Sequence, residues 1–208
     1  IVRKLASSIE RIEGGMRVGC ADGDEQDYDL VVVASGVNSH FLDNIEGLEI
    51  GYRPPEARKA FICEFELGRE TIEQHMGTSM HVFLLDLPGL KFAAIIPKGD
   101  LVTMCVLGDR ADEDLIDAFV HSPEVMNCFP GGQVPSPICH CFPRINVRTA
   151  LKPFADRIVI IGDTGTTRLY KDGIGGAYRT AKAAARTALF QGISEQDFQD
   201  HFWPACKR

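Results

Sequence analysis

One segment, residues 157–189, constrains the fold more than any other part of this 208-residue chain. It opens with a continuous run of β-branched residues at positions 158–161, which is typical of a strand buried on both faces of a parallel α/β sheet. Gly162 and Asp163 follow at the end of that strand, where open α/β sheets place their ligands. Three glycines then precede an alanine-rich helix: Gly173, Gly175 and Gly176. Because the N–H groups of a first helical turn lack intrahelical partners, this order predicts a site for a phosphorylated or electron-rich cofactor.

A second apolar run, residues 30–34, ends at Ser35 and Gly36. It also predicts a buried parallel strand with a glycine at its ligand end. Taken alone, the same pattern fits a core strand that is closed by a turn glycine.

The segments IVIIGDTG and DGIGGAYRTAKAAA resemble the C-terminal FAD motif of the flavoprotein superfamily that contains p-hydroxybenzoate hydroxylase and geranylgeranyl reductase. The resemblance implies that Asp163, directly after Gly162, contacts the ribityl–pyrophosphate part of FAD. It also implies a backbone platform beside the isoalloxazine ring, formed by Gly173, Ile174, Gly175 and Gly176. Thr164 and the pair Lys171-Asp172 depart from the common pattern, so the subfamily stays open.

The earlier strand fits the same resemblance, because YDLVVVASG is similar to a segment that these flavoproteins carry shortly before their substrate domain. In that family, Gly36 would approach the sugar–phosphate region of FAD. The order and separation of the two segments favour this role over a plain turn glycine.

Residues 60–108 have a different hydrophobic pattern, in which partly alternating apolar runs are separated by the turn signals Pro88-Gly89 and Lys98-Gly99-Asp100. They predict a mainly antiparallel sheet. In the resembled family, such an inserted sheet forms the floor of the substrate pocket. We therefore expect a mixed α/β fold, with a partial Rossmann-like FAD/NAD(P)-binding sheet in residues 1–52 and 138–208. The inserted antiparallel substrate domain is expected in residues 53–137.

No G-x-G-x-x-G follows a strand in this sequence, although that fingerprint opens the FAD domain in the resembled family. We interpret the chain as the C-terminal part of a longer flavoprotein, or as one half of a split one. The alternative is a family member without the adenine-dinucleotide half. In the first case, an N-terminal segment or a partner chain completes the FAD site.

Charge and composition exclude several classes. The formal charge of −7 argues against nucleic acid as a partner, and no apolar run approaches the roughly 18 residues that suggest a membrane span. Seven cysteines without a compact framework favour reduced thiols and a cytoplasmic location. The sequence lacks the G-x-S-x-G, H-E-x-x-H and P-loop motifs of hydrolases and kinases.

Two further groups of residues invite a functional interpretation. Cys139-His140-Cys141 offers at most three ligands and has no second cluster of matching spacing, so we expect no metal site. Arg168 and Lys171 could meet an anionic substrate, a phosphate or a nicotinamide cofactor, or could lie in a solvated loop. No residue stands out as a catalytic acid or base.

The expected function is FAD-dependent oxidoreduction, of dehydrogenase or reductase type, of a small organic or lipid-like substrate. NAD(P)H or another donor would supply the electrons. Two alternatives stay open: a flavin-dependent aromatic monooxygenase, and a non-catalytic substrate-binding or assembly module that needs a partner chain.

Overall fold

A computed structural model describes residues 3–166 and 173–206. Arg168 and Lys171 therefore lie outside the described residues. The chain divides into two compact units. The first contains Ile1–Ala57 and Ile145–Arg208, and the second contains Arg58–Arg144. The cofactor and substrate roles that the sequence assigns to residues 1–52 with 138–208 and to residues 53–137 stay predictions.

The first unit begins with a three-stranded antiparallel meander. Its strands are β1 (Ala6–Ile12), β2 (Gly15–Cys20) and β3 (Glu25–Tyr28), which lie in the order β1-β2-β3. The short strand β4 (Val31–Val33) and helix α1 (Leu42–Glu46) follow. Met16 of β2 is fully buried in a core that also contains Val33 and Ile45. The meander and this helix thereby cover one side of β4.

The second unit is built on a mainly antiparallel sheet, as the turn signals of residues 60–108 predict. Its strands are β5 (Ala57–Glu66), β6 (His81–Phe83), β7 (Leu90–Lys98), β8 (Leu101–Gly108) and β9 (Cys139–Cys141), together with β10 (Arg144–Asn146), whose last two residues are counted in the first unit. The order is β10-β5-β8-β7-β6, and β9 also pairs with β5. Its helices are α2 (Arg69–His75), α3 (Glu113–Val120) and α4 (Pro123–Met126).

The second unit packs its helices on one face of this sheet. Phe65 of β5 and Phe119 of α3 lie in one apolar core with Met104 of β8, and all three are almost completely buried. Asp112 caps α3 by accepting a hydrogen bond from the Leu115 N–H at 3.2 Å. The cap and the apolar face of α3 together explain why the helix begins where it does.

The chain then contributes strands β11 (Phe154–Ala155) and β12 (Ile158–Ile160) to the first unit. They form a sheet in the order β11-β12-β4, in which β12 runs parallel to β4. Ile158 pairs with Val31 and Ile160 with Val33. The parallel pairing predicted from the two apolar runs is confirmed, and all three residues of β12 are fully buried.

The long helix α5 (Gly173–Phe190) follows, and the described chain ends in α6 (Glu195–Asp197), a π-helical turn (Phe198–Phe202) and α7 (Trp203–Cys206). Phe198 and Phe202 are fully buried with Phe154 and Val159 against the sheet. Ser194 and Asp197 form a capping box at the start of α6. Among the described residues, no helix is long and apolar enough to cross a membrane.

Candidate functional site

A cleft of about 420 Å³ lies in the first unit, where the carboxyl ends of β4 and β12 meet the start of α5. Parallel strands end at the same edge of a sheet, so residues that follow them in the sequence are brought together there. Four residues predicted for the site line this cleft: Gly36, Gly162, Asp163 and Gly173. Gly36 is more than 120 positions away from the other three, which lie within residues 162–173.

The three glycines that line the cleft differ in why glycine suits their positions. Gly36 and Gly162 have φ angles of +77° and +66°, which other residues rarely adopt. A Cβ added at Gly36 or at Gly173 would meet no atom within 4 Å. These two positions therefore border open space, and a bound group can approach the backbone there.

Asp163 lies in the one-turn 3₁₀ helix Gly162–Thr164, which directly follows β12 and Ile161. The residue is exposed, whereas its neighbours Gly162 and Thr164 are buried. Within residues 3–166 and 173–206, no hydrogen bond or ion pair occupies its carboxylate. This carboxylate is therefore able to accept hydrogen bonds from a ligand.

The first turn of α5 divides between the cleft and the protein interior. Gly173 lines the cleft, but Ile174, Gly175 and Gly176 do not. The Ile174 side chain is 91% exposed, while Gly176 is buried. The cofactor contacts expected of Ile174, Gly175 and Gly176 stay predictions.

Thr180 connects this turn of α5 to the turn that carries Asp163. Its buried hydroxyl accepts a hydrogen bond from the Gly162 N–H at 2.9 Å and donates one to the Gly176 carbonyl at 2.9 Å. Sequence reasoning missed Thr180, because a single threonine on the buried face of a helix is an ordinary core residue. It also missed the cleft-lining residues of the strand end and of α5, which are Ala34, Ala177, Tyr178 and Ala181.

The Cys139-His140-Cys141 segment forms β9 in the second unit. The two cysteines pair with Glu64 and Ile62 of β5, while His140 packs its ring near Phe61 on the opposite face, with 6.0 Å between ring centroids. Alternation along the strand thus separates the histidine from the thiols. In the part of the chain that the structure describes, no three His, Cys, Asp or Glu side chains are grouped so that they could hold a metal ion.

Comparison with known proteins gives structural matches only. No family model matches the chain, and no curated protein matches it. Among solved structures, it is similar to a point mutant of halogenase PltM in complex with FAD, with a TM-score of 0.65 and 11% identity over 98% of this chain and 46% of that one. Klebsiella pneumoniae HpxO complexed with FAD and uric acid matches with a TM-score of 0.61 and 16% identity, over 98% of this chain and 54% of that one.

A third match is BrvH, a flavin-dependent halogenase from Brevundimonas sp. BAL3, with a TM-score of 0.63 and 15% identity, over 99% of this chain and 41% of that one. The chain spans about half the length of the solved structures that it matches. At these identities the likeness concerns the fold. The chain has a mixed α/β fold similar to that of proteins that bind or depend on flavin.

Proposed function

We propose that this chain is part of an FAD-dependent oxidoreductase of the superfamily that contains p-hydroxybenzoate hydroxylase and geranylgeranyl reductase, and that its cleft holds part of FAD. One observation carries the proposal. Gly36, Gly162, Asp163 and Gly173 line one cleft at the carboxyl ends of parallel strands. They are four of the seven residues that the resemblance assigns to the cofactor.

The residues present fit this cofactor. The exposed carboxylate of Asp163 is suited to accept a hydrogen bond from a hydroxyl of the ribityl chain, and the open space beside Gly36 leaves room for a sugar–phosphate group. The N-terminus of α5 adds a partial positive charge, worth about 0.3–1 kcal/mol at an exposed site. When bound, FAD would supply the redox chemistry, whereas these residues bind and orient it.

The first unit also leaves a surface that a further segment would cover. In the described residues, β4 pairs on one side only, with β12, and Val32 is 47% exposed. Parallel sheets are normally covered on both faces, and an uncovered edge strand presents N–H and C=O groups with which another strand can pair. We propose that a parallel strand from an N-terminal segment, or from a partner chain, pairs with β4 and completes the site.

A largely exposed apolar stripe on α5 supports this proposal. Ile174 is 91% exposed and Tyr178 is 64% exposed, and with the partly buried Ala181 and the exposed Ala185 they follow one another at spacings of four, three and four residues. This spacing is typical of a helix face that packs against another helix. Tyr178 and Ala181 also line the cleft, so the stripe continues from it. A strand followed by a helix would cover both β4 and α5.

We further propose that the sheet of the second unit serves a small organic or lipid-like substrate, and that the reaction is of dehydrogenase or reductase type with NAD(P)H or another donor. An aromatic monooxygenase is the second candidate, because the matched structures include one with both FAD and uric acid bound. Oxygen consumption in a fixed ratio to substrate would identify a monooxygenase. A non-catalytic module would bind substrate without any flavin-dependent turnover.

The cofactor proposal is tested by titrating FAD into the complete protein and following flavin fluorescence. Asp163→Asn keeps an acceptor oxygen but removes the charge, which roughly doubles the strength of a hydrogen bond to the ribityl chain and so contributes about 1–1.5 kcal/mol. The expected result is a rise in Kd of roughly 5- to 10-fold, by the usual factor of ten per about 1.4 kcal/mol. Asp156→Asn, in the β11–β12 turn of the same unit, is the matched control. Unchanged FAD affinity in Asp163→Asn removes this residue from the site.

A further inference from the structure

Two buried polar side chains that do not line the cleft hold the turn that carries Asp163. The Tyr52 hydroxyl donates a hydrogen bond to the Thr164 carbonyl at 2.8 Å. The Asn146 side-chain amide donates one to the carbonyl of Asp163 itself. Tyr52 is 4% exposed and Asn146 is 6% exposed. Both belong to the first unit and come from other segments of the chain.

These two bonds act on the side of Asp163 that leads to Thr164. On the other side, the N–H of Gly162 donates to the Thr180 hydroxyl at 2.9 Å. The turn closes with a bond from the Gly165 N–H to the Gly162 carbonyl, also at 2.9 Å. The peptide groups before and after Asp163 are therefore both fixed. Because the backbone positions on either side of a Cα determine the direction of its Cβ, the Cα–Cβ bond of Asp163 is fixed in direction as well, and its carboxylate can reach only the few positions that the side-chain rotamers allow.

Packing alone does not account for a tyrosine at this position. Phenylalanine would fill the same space without a hydroxyl to satisfy, and a buried polar group is costly unless it is hydrogen-bonded. Burial, with a smaller contribution from Glu46, raises the pKa of Tyr52 above its usual range. The phenol therefore stays protonated, and it remains a donor to the Thr164 carbonyl at every physiological pH.

We infer that Tyr52 and Asn146 are positioning residues, which hold the Asp163 carboxylate towards the cleft and so set the affinity for FAD without contacting it. The inference rests on the proposed function, since it concerns how this chain presents Asp163 to the cofactor. It adds two residues that no sequence pattern marks. It also predicts that both residues affect the affinity for FAD only through Asp163.

A double-mutant cycle on the complete protein tests this dependence. FAD is titrated into the flavin-free wild type, Tyr52→Phe, Asp163→Ala and the double variant, with flavin fluorescence as the readout. We expect Tyr52→Phe to raise Kd about three- to tenfold in the presence of Asp163 and less than about twofold in its absence. The control Tyr28→Phe removes an exposed hydroxyl that bonds Gln26 at 2.9 Å, and it should leave Kd within about twofold.

The outcomes separate the possible roles. A purely structural tyrosine would weaken FAD binding equally with and without the Asp163 carboxylate, and such additivity overturns the inference. If Tyr52→Phe does not fold, as judged by circular dichroism, the same cycle with Asn146→Ser decides the matter. A wild-type protein that binds no FAD refutes the proposed function and this inference together. A wild type that binds FAD with additive variants refutes only the inference.

Discussion

We expect Thr180→Val to destabilise the first unit more than Thr187→Val, although both replace a buried threonine of α5 by a residue of the same shape. The two side chains are 4% and 2% exposed. The Thr180 hydroxyl accepts a hydrogen bond from the Gly162 N–H at 2.9 Å. The Thr187 hydroxyl only donates to the Ala183 carbonyl within its own helix, at 3.0 Å. Thr187→Val is therefore a control for the loss of a buried hydroxyl.

The magnitude follows from what each variant leaves unpaired. In Thr180→Val, the buried N–H of Gly162 loses its partner, at a cost of about 1–3 kcal/mol. In both variants the helix carbonyl keeps its backbone partner, so loss of the hydroxyl bond to it changes stability little. We therefore expect a difference of about 1–3 kcal/mol between the variants. In a chain of this size, each 1 kcal/mol lost from the free energy of unfolding lowers Tm by about 2–4 °C, so Thr180→Val should have the lower Tm of the two variants.

The assay uses the one tryptophan of the chain, Trp203, which lies in the first unit and packs on Phe154 with 5.8 Å between ring centroids. Its fluorescence during urea unfolding reports on that unit, and equal slopes for the two variants would show that the unfolded states are comparable. Equal stabilities, within about 0.5 kcal/mol, would refute the argument. The Gly162 N–H would then find another partner, and Thr180 would not hold the turn.

Three further outcomes are expected. The 208-residue chain alone should be folded but colourless, and should gain flavin absorbance only when a segment that pairs with β4 is added; isolation of the chain with stoichiometric bound FAD would contradict this. Hydrogen bonds from Ser194 lower the pKa of the Asp197 carboxyl in the folded protein. They therefore stabilise the folded state fully above the ordinary carboxyl pKa, and this stabilisation is lost as the pH falls through the lowered pKa of the folded state. Melts monitored at Trp203 from neutral to acidic pH should thus show a smaller acid loss in Asp197→Asn. A thiol reagent should modify the exposed Cys139 and Cys141 in the folded protein, but Cys63 only after unfolding, because burial raises the pKa of the Cys63 thiol to about 12. Zinc or iron bound in stoichiometric amount would contradict free thiols in β9.

Local sequence patterns predicted the elements whose cause is local. The apolar runs at residues 30–34 and 158–161 form the parallel strands β4 and β12, although in the described residues only β12 is buried at every position, since Val32 of β4 is 47% exposed. The turn at Lys98-Gly99-Asp100 likewise marks the hairpin between β7 and β8. The strands are shorter than the apolar runs, since backbone pairing covers only Val31–Val33 of β4 and Ile158–Ile160 of β12.

The bonds that hold the candidate site could not be predicted in the same way. Tyr52 and Thr164 are 112 positions apart, and their hydrogen bond exists only because the packed fold brings them together. A glycine pattern also cannot distinguish a residue that borders a ligand from one that packs. Gly173 borders open space, whereas Gly176 is buried and its carbonyl accepts a hydrogen bond from the Thr180 hydroxyl. In both cases the deciding interaction is tertiary.

The contrast between β4 and β12 gives the strongest physical reason to expect a further strand. Both have the continuous apolar sequence of a strand buried on both faces, but only β12 has a neighbour on each side in the described residues. Val159 of β12 is fully buried, while its partner Val32 of β4 is 47% exposed. Exposed apolar surface of this kind costs about 25 cal/mol per Å² relative to its burial. A parallel strand beside β4, followed by a helix over the face of Val32, would remove that cost, and the strand would end beside Gly36, at the open side of the cleft.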